Sequence, residues 1–599
     1  MASLSTEPHY IGIDVGTGSV RAALVSHAGT IAATFSQPIR TWRDPNDSNI
    51  FEQSTTDIWA AIGKCTRGVL EVARIDPSPS KALVIDLQGT PVTVTNGPNI
   101  GEPGERNVIL WADHRAYEEA KLINSTGSDV LKYVGGVMSL EMEIPKTLWL
   151  KNHIAPNRFS QCQFFDLPDY LTFKATGDQA RSNCSLVCKY SFVPPGGWDR
   201  KFLHLIGLGS LVDDGCRRLG GHPGQNGSKV LTAGLPIANG LTERAAAELG
   251  LKQGTPVGGG VIDAYAGWIG TVAARSSTGP DKGLSKAPSL SESRHRLAVV
   301  AGTSTCHVIQ NPEGIFVPGV WGPYQNAIFP GWWMNEGGQS STGQLIDFVI
   351  TTHPAYSELQ SMAKDTNKQV HVILSETLER LRVEAAIAQG KGAKTFSLTE
   401  LTKDLHFYPD LRGNRSPLAD AKMRGSFVGL SLDTSLNDLA LKFNVTLEAI
   451  ALQTRHILDQ MNARGYDVQG IYMSGGQATN TPLMELFSKV CNIPVILPYS
   501  NSGAVVVGSA MLGRFAAEVA TERGHVPLET QEMVAKASHN HRERLWEIMV
   551  DMTNPGVQIL PTASSREKKL LEAKYKIFRE QIGIQRKWRD EMAAAAGDG

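Results

Sequence analysis

The sequence carries almost no surplus of charge. Its 58 Lys and Arg face 59 Asp and Glu, a formal net charge of −1 over 599 residues. Holding nucleic acid through its phosphates needs a positive excess, so this balance argues against a general nucleic-acid binder. Small phosphorylated ligands need only a few local donors and stay admissible. Cysteine is sparse: Cys65, Cys162, Cys184, Cys188, Cys216, Cys306 and Cys491 are odd in number and scattered. That pattern predicts reduced thiols in a cytoplasmic protein rather than a disulfide framework. Cys184 and Cys188 lack the second pair and the histidines of a zinc site. Met1 to His9 shows no charged-then-apolar leader, and no apolar run reads as long enough to span a bilayer. A Walker-type loop ending in Gly-Lys-Ser/Thr and a protein-kinase catalytic loop are also missing, so an ATP site here needs another architecture. The remainder, 41% hydrophobic and 20% charged, suits a soluble globular chain of at least two substantial domains.

The chain is organised around Gly258-Gly259-Gly260-Val261-Ile262-Asp263, followed by the small and apolar run Ala264 to Gly270. Three successive glycines imply a tight bend or a close approach to a ligand. Asp263 then stands at the mouth of a packed helix, where a catalytic base is well placed. A helix cap is the competing use of the same residue, and this stretch alone favours the cap. Ala264, Ala266, Gly267 and Gly270 leave room for a neighbouring element to come close.

Two distant segments share one layout. Tyr10 to Val15 reads as a strand, Asp14-Val15-Gly16-Thr17-Gly18-Ser19 as a donor-rich tip, Arg21 to Val25 as a returning strand and Ala28-Gly29 as a turn. Leu297 to Ala301, Gly302-Thr303-Ser304-Thr305, Cys306 to Ile309 and Pro312-Glu313-Gly314 repeat it. An ordinary hairpin accounts for either copy alone. The pair suggests two domains of related topology whose tips hold a polyphosphate from both sides. Between them Ser276 to Arg296, rich in Ser, Gly, Pro and charge, reads as a mobile linker at the domain boundary.

Other stretches are less specific. Thr56 to Ala73 and Met142 to Leu150 have helical spacing, and Trp111-Ala112-Asp113-His114-Arg115-Ala116 is a strand running into a charged turn. Asp113 there serves either a substrate or a surface ion cluster, the second being the commoner use. Lys189 sits in an apolar setting from which a lysine usually reaches out to solvent. Gly331 to Ser340, with Glu336 among aromatics and glycines, has the composition of a pocket wall. Gly413-Asn414-Arg415-Ser416-Pro417-Leu418-Ala419-Asp420 is polar and turn-rich. Leu447 to Ala463 reads as an amphipathic helix. Ile471 to Gln477 is a strand ending in glycines, after which Asn480 or Thr481 caps a helix. Gly503 to Val519 reads as a small-residue helix, and the charged helical tail Arg566 to Ala596 suggests no function.

Together these segments resemble the FGGY carbohydrate kinases, from about Tyr10 to about Val519. The resemblance rests on the Asp14–Ser19 loop, Pro145-Lys146…Trp149, Gly259-Gly260…Asp263 and the Gly302–Thr305 loop. It also rests on Gly475-Gly476-Gln477 with Asn480, and on Gly425–Leu430 followed by Glu448-Ala449-Ile450-Ala451. Leu110 to Ala116 and Gly413 to Asp420 look most like the ribulokinase-type branch, whose eukaryotic-like members act on D-ribulose. The resemblance implies an α/β fold of two ribonuclease-H-like (actin/hexokinase) domains flanking a cleft. Their expected extents are 8–275 and 297–525, with 276–296 as linker and 526–599 as a helical extension. It implies Asp263 as catalytic base and Asp14 as the acid that reaches Mg²⁺ through water. Gly16, Thr17, Ser19 and Arg21 would form one phosphate loop, and Gly302, Thr303, Ser304 and Thr305 the other. Gly475, Gly476 and Asn480 fall on the adenosine side. Lys189 and Glu336 would contact the sugar, with Asp113 as a weaker candidate.

The expected reaction is phosphoryl transfer from MgATP to a ketopentose, D-ribulose first. L-ribulose, xylulose or a polyol, an inactive sugar-sensing relative and an actin- or chaperone-like ATPase are the alternatives. The expected partner is a small sugar, not nucleic acid or membrane, and a homo-oligomer is compatible with this reading. One departure stands out. Relatives carry a Phe-Asp-Ala-Thr-Cys-Ser-like run before the segment matching Leu83 to Val94, whereas here Asp76-Pro77-Ser78-Pro79-Ser80-Lys81 leads straight into Ala82. That predicts the loss of a central strand of the first sheet and of part of the sugar pocket.

Overall fold

The computed structural model describes residues 7–74, 80–87, 91–94, 106–277, 283–392, 396–498 and 503–597. In the first half β1 (His9–Val15), β2 (Ser19–Ser26) and β3 (Ile31–Pro38) pair antiparallel. β4 (Ser80–Leu87) joins β1 in parallel, giving the order β3-β2-β1-β4. Every residue of β1 is buried, which is why His-Tyr-Ile-Gly-Ile-Asp-Val runs nearly apolar until its one acid, Asp14.

The second half repeats the scheme with β5 (Arg296–Ala301), β6 (Thr305–Asn311), β7 (Trp321–Gln325), β8 (Trp333–Gln339), β9 (Gly470–Ser474), β10 (Val495–Pro498) and β11 (Gly556–Ile559). β5, β6 and β8 are antiparallel, β9 is parallel to β5 and β10 to β9, so the core order is β8-β6-β5-β9-β10. β7 and β11 extend the two edges. Two sheets sharing one strand scheme are the duplicated ribonuclease-H-like α/β arrangement that the twin hairpins anticipated.

The helices that matter to the site are α1 (Thr55–Ala73), α2 (Glu143–His153), α3 (Asn183–Lys189), α4 (Asp263–Ile269), α5 (Leu436–Asn462), α6 (Thr481–Cys491) and α7 (Ala504–Glu522). α8 (Gln531–Asn540), α9 (Arg542–Met552) and α10 (Ser565–Ala596) follow. α7 is the spine. A Cβ on Gly12 of β1 would run into the Val506 carbonyl, one on Gly270 into that of Ala504, and one on Gly508 into that of Ala266. The small residues of both helices therefore permit backbone contact, and α4 is pressed between α7 and the β5–β6 hairpin.

Several expectations need correction. The run Ala504–Glu522 is long and apolar enough to cross a bilayer, but 78% of its most apolar window is buried in the protein, as befits a core helix. The strand position beside β1 is filled, because Ser80–Leu87 pairs with β1 along its whole length. Asp76 to Pro79, where the departure from relatives lies, is outside the described residues. The three glycines before Asp263 run extended rather than bent. Gly259 N–H donates to Leu235 O at 2.9 Å, and Gly234 N–H to Gly259 O at 2.9 Å.

α5 starts well before Leu447, at a Ser435 cap that accepts from Asp438 N–H at 3.4 Å, and Leu436, Leu439, Ala440 and Phe443 already carry the helical spacing of its buried face. Within the expected mobile linker 276–296, the described stretch around Pro288 and Leu290 is docked, with Leu290 buried and Trp546 Nε1 donating to Pro288 O at 2.8 Å. The residues after 525 do not act as one extension. Gln531 of α8 bonds the backbone of Val230 in the first half. β11 completes the second sheet, and α10 buries Leu571, Lys574 and Phe578 against the second half.

Candidate active site

β1 turns into β2 through Gly16 to Ser19, closed by Gly16 N–H on Ser19 O at 2.9 Å. The tip is pinned from the side. Gln53 Nε2 and Thr41 Oγ1 donate to Thr17 O at 2.8 and 3.1 Å, and Trp111 Nε1 donates to Thr17 Oγ1 at 3.2 Å. Such external support holds the tip in one conformation, as an anion cradle requires. Asp14 lies directly opposite Arg21 in the strand register, 3% exposed, with its Oδ2 2.9 Å from the Arg21 guanidinium. Burial pushes the Asp14 carboxyl up to about 6; Arg21 opposes the shift and the charge of Asp263 adds to it.

The second hairpin turns through Gly302 to Ser304, with Gly302 N–H on Ser304 O at 2.8 Å. Thr342 braces it, its N–H on Thr303 O at 2.9 Å and its hydroxyl 2.8 Å from Thr305 Oγ1. Gly302 and Thr303 are exposed and free to meet a ligand. Gly475 has φ +87° and would drive a Cβ into the Ala301 carbonyl, so the Gly-Gly turn after β9 lies against the end of β5. Gly476 faces open space, and Asn480 caps α6 by accepting from Leu483 N–H at 3.4 Å.

Asp263 is the first helical residue of α4, Ile262 being the cap. Ala264 N–H donates to its Oδ1 at 2.7 Å. Burial raises its pKa. The Ala264 N–H and the Lys189 charge oppose the shift, Glu336 adds to it and Arg415 opposes it. Asp263 thus lies within electrostatic reach of Asp14 under the first tip, of Cys306 under the second, and of Lys189 and Glu336.

Lys189 does not reach out to solvent: it is 6% exposed, with Nζ 5.5 Å from the Trp321 ring centre. Burial alone would lower its pKa, but Glu336, Glu141 and Asp166 outweigh it and hold the ammonium above its ordinary value. Glu336 is buried in mid-β8, one oxygen bonded to Arg415 and the other, Oε2, without a partner. A buried unpaired oxygen costs stability unless something donates to it, so Oε2 suits a ligand hydroxyl.

Asp113 is fully buried, and its carboxylate accepts from Phe51 N–H at 2.7 Å and from Arg115 Nε at 2.9 Å and NH2 at 2.7 Å. That is an ion cluster, but a buried one rather than the surface cluster expected, with no oxygen left over for a sugar. Arg415, Glu141 and Trp321 join the site unforeseen. Arg415 lies in the polar turn Gly413 to Asp420, and nothing in its spacing points to Glu336.

Among the described residues no cluster of three His, Cys, Asp or Glu could cage a metal. Asp14 and Asp263 beside two phosphate-sized tips instead fit a hard cation that keeps waters and phosphate oxygens as its other ligands.

Comparison with known proteins agrees with this frame. The models for the FGGY family of carbohydrate kinases match residues 9–270 (N-terminal domain) and 297–517 (C-terminal domain). The chain is 44% identical to a D-ribulokinase of Saccharomyces cerevisiae over 527 residues, 85% of this chain and 72% of the relative. It is 38% identical to a human FGGY carbohydrate kinase domain-containing protein over 590 residues, 97% of each. A xylulose kinase structure from Brucella ovis superposes with TM-score 0.69 at 20% identity, covering 97% of this chain and 100% of that one. A glycerol kinase with ADP from Plasmodium falciparum superposes with TM-score 0.68 at 13% identity, covering 96% and 98%. At those identities the structures speak for the fold alone.

Proposed function

The chain belongs to the FGGY family of carbohydrate kinases, and from that premise we propose that it phosphorylates a ketopentose, D-ribulose giving D-ribulose 5-phosphate. Membership makes it an ATP-dependent sugar kinase. The choice of D-ribulose is supported by the yeast D-ribulokinase at 44% identity, against 26% for a bacterial ribulokinase of Staphylococcus saprophyticus. The observation that carries the catalytic reading is the seat of Asp263 at the head of α4, packed against β5 and β6, with its charge felt by Asp14 and Cys306 and itself facing those of Lys189 and Glu336.

In this reading the sugar lies between Lys189, Glu336 and Asp263. Lys189 donates to its oxygens, Glu336 Oε2 accepts from a hydroxyl, and the free oxygen of Asp263 takes the proton of the attacking primary hydroxyl. Its raised pKa brings it nearer to a useful base strength than an ordinary aspartate. The two tips hold the triphosphate in line and donate to the charge that spreads over the transferred group. Mg²⁺, when bound with ATP, would neutralise part of that charge, with Asp14 at hand through water. Gly475, Gly476 and Asn480 would flank the adenosine.

The test is ADP release by purified protein over a panel of D-ribulose, L-ribulose, xylulose and polyols. D-ribulose should give the highest kcat/KM, and Asp263→Asn should abolish transfer while ATP binding persists. Best use of another sugar would refute the substrate assignment, and normal turnover by the variant would remove Asp263 from its role.

A further inference from the structure

Arg415 sits in the turn Gly413 to Asp420, and its side chain is 8% exposed. One terminal nitrogen, NH2, donates to Glu336 Oε1. The other, NH1, lies 3.7 Å from Glu141 Oε2, which belongs to the first half of the molecule, and 3.7 Å from Cys306 Sγ. The guanidinium stacks 3.8 Å from the centre of the Trp321 ring. Gly338 follows Glu336 by two residues, on the same face of β8. A Cβ there would stand 2.5 Å from Arg415 Nε and 2.6 Å from Cζ, so the strand leaves a slot for this one side chain.

The turn itself is braced. Asn414 Nδ2 donates to Asp410 Oδ2 at 2.7 Å, Ser416 Oγ donates to Gly319 O at 2.9 Å, and Arg586 and Arg589 of α10 grip Asp420 at 3.1 Å. A charged tail helix with no expected function thereby supports the loop that carries the guanidinium.

We propose that Arg415 is a positioning residue for the acceptor sugar: it locks Glu336 with Oε2 turned free and ties that carboxylate to Glu141 across the cleft. The proposal rests on the reading that Glu336 contacts the sugar. A planar guanidinium can hold two carboxylates at fixed angles while lying flat on an aromatic ring; an ammonium on the same stem cannot. Without it, Glu336 would be free to rotate, and the acids Glu336 and Glu141 would lose the cation between them. Sugar binding would suffer while the nucleotide loops stay as they are.

The test compares KM for D-ribulose and for MgATP in wild type, Arg415→Gln, Arg415→Lys and Gly338→Ala, with melting curves as a check on folding. Arg415→Gln and Arg415→Lys should raise the sugar KM at least about tenfold and leave the ATP KM within about twofold. Gly338→Ala should show the same split although Arg415 is retained, because its methyl displaces the guanidinium. Added guanidinium ion should restore part of the sugar affinity to Arg415→Gln but not to Gly338→Ala, where the slot is filled. If Arg415→Gln does not fold, Gly338→Ala and Arg415→Lys carry the test. An unchanged sugar KM in these variants, or sugar and ATP KM values rising in parallel, overturns the proposal alone. A wild type that accepts no ketopentose overturns the sugar reading with it.

Discussion

The two hairpins share a strand scheme but not a chemistry. In the first, Asp14 pairs across the ladder with Arg21 two residues before the tip begins, buried and with its carboxyl raised to about 6. In the second, the ladder pair before the last is Val300 with Cys306, apolar on one side and a thiol on the other. The first tip spans four residues, Gly16 to Ser19, and is pinned by side chains from three other segments; the second spans three, Gly302 to Ser304, and is braced by Thr342. Duplication of the frame supplies two sets of backbone donors facing one cleft. The acid that can serve a cation was installed on one side only, where Arg21 tempers the cost of burying it.

The largest way to break this contrast is Asp14→Asn. Turnover should fall by about 10²–10³, the usual scale for removing one electrostatic group from a transition state. Stability should move the other way. In the folded protein Asp14 keeps its proton to about pH 6, whereas its ordinary value is 3.8. Folding stability is therefore lost as pH rises between those values, and the penalty persists above them. An amide cannot ionise and escapes that penalty, so the nucleotide-free variant should gain up to about 3 kcal/mol at pH 7.5 and nothing at pH 3. Melting curves across pH read this directly, and a variant less stable than wild type at pH 7.5 would contradict the burial argument.

A second test concerns what both hairpins share, the α4–α7 crossing. Gly508→Ala drives a methyl into the Ala266 carbonyl, which should cost about 2–3 kcal/mol and, by shifting Asp263, lower kcat more than KM. Loss of stability with kcat intact would mean that α4 does not need its present seat. The smallest effect belongs to the second tip alone. Thr303→Val removes one exposed hydroxyl, so the ATP KM should rise a few-fold with the melting point unchanged. An equal loss from Thr303→Val and Asp14→Asn would erase the distinction between the hairpins.

Much of this was legible in the chain. Glycine, threonine and serine at both tips, small residues after Asp263, and the Gly-Gly turn before Asn480 are local needs that leave local marks. The apolar run around Lys189 suggests a lysine that reaches solvent, whereas the charges that offset its burial come from Glu336, Glu141 and Asp166, on other elements of the chain. Asp113 was open to two readings until Phe51 and Arg115 were seen to occupy its oxygens. The early start of α5 was legible in the chain, since Ser435 is a cap residue and Leu436, Leu439, Ala440 and Phe443 follow it at helical spacing.

The sequence by itself determined the duplicated α/β frame, the two donor-rich tips and the acid at the head of α4, because hydrophobic period, turn chemistry and steric demand are written in neighbouring residues. Only the tertiary structure decided which charges stand together: Asp14 with Asp263, Lys189 with three acids, Arg415 between Glu336 and Glu141. Electrostatic partnership depends on distance and burial, and both arise only when segments tens to hundreds of residues apart are packed against one another.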